Sequence, residues 1–252
     1  MRLTIVGCSG SFPGPDSAAS CYLLEAPYDG RTFRLLLDLG NGALGPLQRH
    51  ADVDCIDAIA LSHLHPDHCM DMCSYYVVRK YHPTGALPTL TVYGPDGTHD
   101  RLATAYGLPM APGMREQFDF ITYPETAFDV GPFTLDVTRV DHPVAAYAIR
   151  VTHEGRSLVY SGDTGPCTSL EQIAKDCDFF LSEASFVETA VNPPSLHLTG
   201  RQAAEAAQRA GVGRLVLTHI PPWYDGDAVL GEAVPHFDGP VSLASAGLTY
   251  DI

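Results

Sequence analysis

Apolar residues fall in short runs separated by Gly, Pro and Asp, the pattern of buried strands joined by turns. Such runs predict strands at Leu3–Val6, Cys21–Glu25, Phe33–Asp38, Ile56–Leu61, Leu90–Tyr93 and Phe118–Tyr123. The series continues at Phe133–Val140, Ala146–Thr152, Leu158–Ser161, Phe179–Ser182, Leu215–Thr218 and Val241–Ala244. Helices are predicted between them over Ala43–His50, Cys69–Tyr81, Thr98–Tyr106, Ser169–Asp176, Thr199–Ala210 and Asp227–Val234. The clearest of these follows Thr199, with Ala203, Ala204, Ala207 and Ala210 on one side and Gly211 as its stop. Strands cluster in both halves with helices among them. The expected architecture is therefore α/β, two packed sheets covered by helices, in one domain spanning residues 1–252.

Composition narrows the partners. Fifteen Lys and Arg stand against 30 Asp and Glu, a formal net charge of −15, and Lys80 and Lys175 are the only lysines. Such a surface repels polyanions, so neither a large nucleic acid nor an anionic membrane is an expected partner. No apolar stretch approaches the roughly 18–20 residues of a membrane helix. Met1–Val6 is too short for a signal-peptide core. The seven cysteines (Cys8, Cys21, Cys55, Cys69, Cys73, Cys167 and Cys177) are odd in number and scattered, as expected of reduced thiols filling a core rather than of staples. These features predict a soluble cytoplasmic protein.

The strongest chemical signal is Ser62-His63-Leu64-His65-Pro66-Asp67-His68, directly after a predicted strand. Three imidazoles and a carboxylate this close cannot be buried without partners. On a turn leaving a strand, His63 and His65 can reach one ion while Asp67 and His68 reach a second. Imidazole and carboxylate suit Zn²⁺, and also Mn²⁺ or Fe²⁺. Further candidate ligands sit just past other apolar runs: His142 in Asp141-His142-Pro143, Asp163 in Ser161-Gly162-Asp163-Thr164-Gly165, and His219 in Thr218-His219-Ile220-Pro221-Pro222. Taken singly, each of the three is also ordinary turn chemistry.

The order His63-x-His65-x-Asp67-His68, His142, Asp163, His219 resembles the metallo-β-lactamase superfamily of dinuclear hydrolases over essentially the whole chain. The resemblance implies an αββα four-layer sandwich with two divalent ions, zinc first among them, at the edge of the sheets. It assigns His63, His65 and His142 to one ion, Asp67, His68 and His219 to the other, and Asp163 to both. A carboxylate in that shared position sets the chain apart from the true β-lactamases. Glyoxalase II resembles this site too but carries a substantial C-terminal helical domain, and the 33 residues after His219 weaken that reading.

Val6-Gly7-Cys8-Ser9-Gly10-Ser11, Ser182-Glu183-Ala184-Ser185-Phe186 and Leu196-His197-Leu198-Thr199 resemble the ribonuclease Z branch, in which the Glu and His assist catalysis beside the metals. Carried over, the catalytic residues are Glu183 and His197, with Asp67 orienting the attacking hydroxide. Ribonuclease Z grips tRNA with an arm inserted between the positions of His142 and Asp163, and that interval is too short here for an arm. The combination resembles actinobacterial atypical, class II-like cyclic-AMP phosphodiesterases, although Pro66 stands where class II enzymes usually carry Leu. The resemblance implies hydrolysis of 3′,5′-cAMP to 5′-AMP, a small cyclic nucleotide as substrate, and a homodimer. Alternatives are tRNA 3′ processing, a lactone or thioester hydrolase of the same fold, or a metal-binding scaffold without catalysis.

Other residues are set aside. Gly7–Gly14 lacks Gly-Lys-Ser/Thr and reads as a tight turn rather than a P-loop. Cys69 and Cys73 are not needed as ligands, and His50, His82, His99, His153 and His236 read as surface or cap residues. Trp223 and Tyr224, just after His219, suit either packing or stacking on a base.

Overall fold

The computed structural model describes every residue from Met1 to Ile252. It contains β1 (Arg2–Ser9), β2 (Ala18–Ala19), β3 (Cys21–Tyr28), β4 (Arg31–Leu37), α1 (Leu44–Leu47), β5 (Ala58–Ala60), α2 (Pro66–Cys69), α3 (Met72–Lys80), β6 (Leu90–Gly94), α4 (Thr98–Tyr106) and β7 (Phe118–Thr122). There follow β8 (Phe128–Val130), β9 (Phe133–Arg139), β10 (Tyr147–His153), β11 (Arg156–Tyr160), α5 (Thr168–Ala174), β12 (Phe179–Glu183), α6 (Gly200–Ala210), β13 (Leu215–Thr218), α7 (Gly226–Ala233), β14 (Val241–Leu243) and β15 (Thr249–Asp251).

One sheet has the order β15-β1-β3-β4-β5-β6-β7, with β2 beside β1, and the other β14-β13-β12-β11-β10-β9-β8. Strand alternation gives each sheet two buried faces. Leu3, Ile5, Tyr22, Leu24, Leu35 and Leu37 meet Leu135, Ile149, Leu158, Leu181 and Val216 between the sheets. The opposite face of the first sheet packs Leu23, Leu36 and Ile59 against Leu44, Met72, Tyr75 and Leu102. That of the second packs Phe180, Leu215 and Leu217 against Leu170, Ala203, Ala207 and Val229. The result is the expected αββα sandwich.

Every predicted strand is present. The short β2, β8 and β15 have too few apolar residues to register in a periodicity reading. The helix expected from Cys69 to Tyr81 is two pieces. Leu39 N–H donates to His68 O (2.9 Å) and Leu39 O accepts from Asp71 N–H (3.1 Å), so the end of β4 takes up backbone groups a continuous helix would need. The helix expected over Ala43–His50 is α1, continued through His50 by tighter i→i+3 bonds such as Arg49 N–H to Pro46 O.

Strands β4 and β5 run parallel in one sheet, and β11, β12 and β13 run parallel in the other. Their C-terminal ends open onto one edge of the sandwich. Tyr147 N–H donates across to Ser62 O (3.0 Å), tying the sheets there.

Candidate metal centre

Polar side chains collect at that edge. Ser62–His68 leaves β5, Asp163 follows β11, Glu183 ends β12, His219 follows β13, and His142 lies in the β9–β10 connection. Pro66, the first residue of α2, starts the helix just after extended His65 and turns Asp67 and His68 back toward the sheets. Two clusters result, one of His63, His65, His142 and Asp163, the other of Asp67, His68, Asp163 and His219. Within each, the candidate ligand atoms lie within 4.8 Å of one another, and Asp163 belongs to both. The structure thus brings together all seven residues singled out as ligands in the sequence.

The donor atoms face inward for a reason legible in the hydrogen bonds. His68 Nδ1–H donates to Asp38 Oδ2 (2.7 Å) and His142 Nδ1–H to Leu196 O (3.0 Å). Ser185 Oγ–H donates to His219 O (2.7 Å), so its oxygen accepts from His219 Nδ1–H (2.6 Å). Ser62 Oγ–H likewise donates to Asp38 Oδ2 (2.7 Å), so its oxygen accepts from His63 Nδ1–H (3.1 Å). With the outer nitrogens so engaged, the Nε2 lone pairs of these four rings point into the clusters, the arrangement that outer partners impose on metal-ligating histidines.

Those inner atoms crowd one another. His63 Nε2 and His142 Nε2 lie 3.0 and 3.2 Å from His65 Nδ1, and His68 Nε2 lies 3.1 Å from His219 Nε2. Asp163 Oδ1 is buried with no hydrogen bond: His68 Nε2 is 3.2 Å away and His219 Nδ1 3.5 Å, both out of line. Converging lone pairs around an orphaned carboxylate oxygen are what a cation satisfies. The residues present therefore fit divalent metal ions.

Protonation tendencies agree in the first cluster; in the second, burial would lower the His68 pKa, but Asp163 and Asp38 outweigh it and hold it well above the ordinary value. Burial, then the neighbouring His68, holds His63 well below its ordinary pKa, and burial with neighbouring imidazoles lowers His65 and His142. All three favour the neutral, ligating form. Burial opposes ionisation of Asp163, but His219, His68 and His63 outweigh it and hold the pKa well below the carboxylate range. Asp67 is likewise lowered against burial by the neighbouring His219 and His68.

Glu183 is fully buried and committed on all sides. Its Oε1 accepts Thr164 N–H (2.8 Å) and His197 Nδ1–H (2.9 Å), and its Oε2 accepts Ser185 N–H (3.1 Å) and Leu198 N–H (3.3 Å). His197 Nδ1 is also 3.9 Å from Asp163 Oδ2, at the rim of the clusters. Burial would lower the His197 pKa, but the charge and hydrogen bond of Glu183 raise it to about 9. A cavity of about 310 Å³, lined in part by Phe186, Asn192, Ser195, His197 and Arg201, opens beside it.

Asp38, absent from the sequence-derived set, is fully buried and accepts from Ser62 N–H (2.6 Å), Ser62 Oγ–H (2.7 Å), His68 Nδ1–H (2.7 Å) and Tyr160 O–H (2.8 Å). Its position at the end of an apolar run was the available signal. Three set-aside residues need correction. His99 is buried rather than on the surface, its ring edge-on to Phe120. Cys55 is exposed rather than a core filler. Trp223 is 62 % exposed, so it is not a packing residue.

The sandwich and its paired histidine–aspartate clusters define a metallo-hydrolase of the β-lactamase fold. Residues 33–220 match the family described as the beta-lactamase superfamily domain, and the chain belongs to that family. A protein of Mycobacterium leprae is 46% identical over 100% of this chain and 89% of its own length. The probable metallo-hydrolase YhfI of Bacillus subtilis is 29% identical over 100% of both chains, and its crystal structure has a TM-score of 0.88, covering 99% of each. The short form of human tRNase Z shares the fold at a TM-score of 0.76 and 22% identity, covering 100% of this chain and 99% of that one. No helix is long and apolar enough to cross a membrane.

Proposed function

We propose that the protein is a dinuclear phosphodiesterase that hydrolyses a cyclic mononucleotide, 3′,5′-cAMP to 5′-AMP, as a single cytoplasmic domain that pairs into a homodimer. His63, His65 and His142 would hold one divalent ion and Asp67, His68 and His219 the other, with Asp163 in both clusters. Such ions, zinc foremost with manganese or iron as alternatives, would supply Lewis acidity for the phosphoryl oxygens and a lowered pKa for a bound water.

The observation that carries the reading is the Glu183–His197 pair, 2.9 Å apart and 3.9 Å from the shared carboxylate. Hydrolysis of a sugar phosphodiester expels an alkoxide, which needs a proton as the bond breaks. Glu183 fixes His197 Nδ1–H, which leaves Nε2 to hold that proton toward the departing 3′ oxygen. Asp67 Oδ2 lies 3.0 Å from the His219 Nε2 lone pair, the two facing the same cluster centre, so the other Asp67 oxygen can accept a hydrogen bond from the attacking water and orient it.

Substrate size follows from the shape and charge of the chain. Within the interval from His142 to Asp163, where ribonuclease Z inserts its arm, β10 and β11 are joined by a tight turn across which His153 pairs directly with Arg156. The net charge of −15 opposes a polyanionic RNA.

The test is turnover of 3′,5′-cAMP, 2′,3′-cyclic nucleotides and bis(p-nitrophenyl) phosphate by metal-loaded protein, with His197→Ala alongside. His197→Ala is expected to slow 3′,5′-cAMP by about 10²- to 10⁴-fold and the nitrophenyl ester, whose leaving group needs no proton, by less than about 10-fold. No turnover of any of them overturns the phosphodiesterase reading, and cleavage of precursor tRNA alone replaces it with the ribonuclease Z one.

A further inference from the structure

In the two loops that meet beside His219, a pair of partly exposed aromatic rings lean on each other at a 45° tilt. Phe12 is 37 % exposed and Trp223 62 % exposed, and their ring centroids are 4.8 Å apart. Exposing that much aromatic surface forfeits burial that a smaller side chain would not forgo. The segments carrying them are nonetheless rigidly built. His219 N–H donates to Cys8 O (3.0 Å) and Gly10 N–H to Ile220 O (3.1 Å), which joins the loop after β1 to the loop after β13. A Cβ on Gly10 would lie 2.1 Å from His219 O, so only glycine permits this approach. Pro221 and Pro222 fix the chain before Trp223, and Tyr224 N–H to Pro221 O (2.9 Å) closes the turn. Tyr224 then meets Trp223 edge-on at 6.1 Å.

The backbone that carries Phe12 reaches the candidate metal centre. Ser11 N–H, one residue before Phe12, points at His219 Nε2 from 3.4 Å. We propose that Phe12 and Trp223 seat the nucleobase, a stacking platform for the purine of a cyclic mononucleotide whose phosphate lies between the clusters. This inference rests on the phosphodiesterase reading above. Stacking is the recognition that flat apolar rings offer any base, and rigid aromatics offer it at little entropic cost. The cavity beside His197 is a poorer seat. Its Arg201 is paired with Glu188 (3.2 Å) and Glu205 (2.7 Å), and its one aromatic, Phe186, is already set edge-on to His197. Phe12 and Trp223 thereby become specificity-determining residues, acting on substrate binding and not on bond cleavage.

Trp223 is the only tryptophan, so its fluorescence reports directly on the platform. In the metal-loaded enzyme, 5′-AMP is expected to quench that fluorescence saturably and ribose 5-phosphate is not. Trp223→Ala and Phe12→Ala are each expected to raise KM for 3′,5′-cAMP about 10-fold with kcat within about 2-fold. Trp223→Phe restores most of the affinity, and KM for base-free ribose 3′,5′-cyclic phosphate stays unchanged in all three variants. If the wild type hydrolyses 3′,5′-cAMP and the alanine variants keep its KM, the platform is wrong and the phosphodiesterase reading stands. If the wild type hydrolyses no phosphodiester, that reading fails and fluorescence alone decides the platform: saturable quenching by 5′-AMP supports it, and unchanged emission overturns it.

Discussion

Asp38 is a buried carboxylate that touches four donors but neither cluster's centre. Its hydrogen bond to His68 Nδ1 (2.7 Å) selects the tautomer that aims Nε2 inward, and Ser62 and Tyr160 hold the carboxylate in turn. Replacing it with Asn removes the charge and offers only one acceptor oxygen. Asp38→Asn is expected to weaken metal retention or activity about 10- to 100-fold while the fold persists, the usual cost of losing a partner behind a ligand. Metal affinity by competition with a chelator checks this, and unchanged affinity would mean that Asp38 serves packing alone. The histidines were legible in the sequence because imidazoles seldom bunch, and His63–His68 bunches three. Asp38 was not, because a lone aspartate ending an apolar run is also a common strand boundary. Its importance comes from contact with a residue 30 positions later.

Among the elements, periodicity located every long strand and helix, since each buries one or two regular faces. It could not show where another segment interrupts a helix, as Leu39 does between α2 and α3. The same junction brings Gly40 against Asp67: a Cβ on Gly40 would sit 2.0 Å from Asp67 O, whereas one on Gly45, in α1, meets nothing within 4 Å. Gly40→Ala must push α2 off the sheet edge. It is expected to cost about 1–3 kcal/mol, as overpacking does, and to lose the ion nearest Asp67. Gly45→Ala should be neutral or stabilising by up to about 1 kcal/mol. Thermal melts of both variants with and without metal separate the cases, and equal melting points would contradict the close approach.

Across the whole molecule, the clusters draw on both sheets. His63, His65, Asp67 and His68 come from the first, and His142, Asp163 and His219 from the second. That strands would form two packed sheets was legible from their grouping along the chain. Which strand joins which sheet was not: β15, last in the chain, pairs with β1 in the first sheet, a contact that sequence spacing cannot reveal. Divalent ions held at these clusters would stabilise the union of the sheets by mass action. Ions present at about 100-fold above Kd contribute about 2.7 kcal/mol, so chelation is expected to lower Tm by roughly 5–10 °C, reversibly on reloading. The most direct test is the metal content per chain after zinc or manganese loading and exhaustive dialysis, on the wild type and on Asp163→Ala. Two ions in the wild type and a clear loss in the variant are predicted. A single ion in the wild type, or two retained without the Asp163 carboxylate, would contradict a shared dinuclear centre.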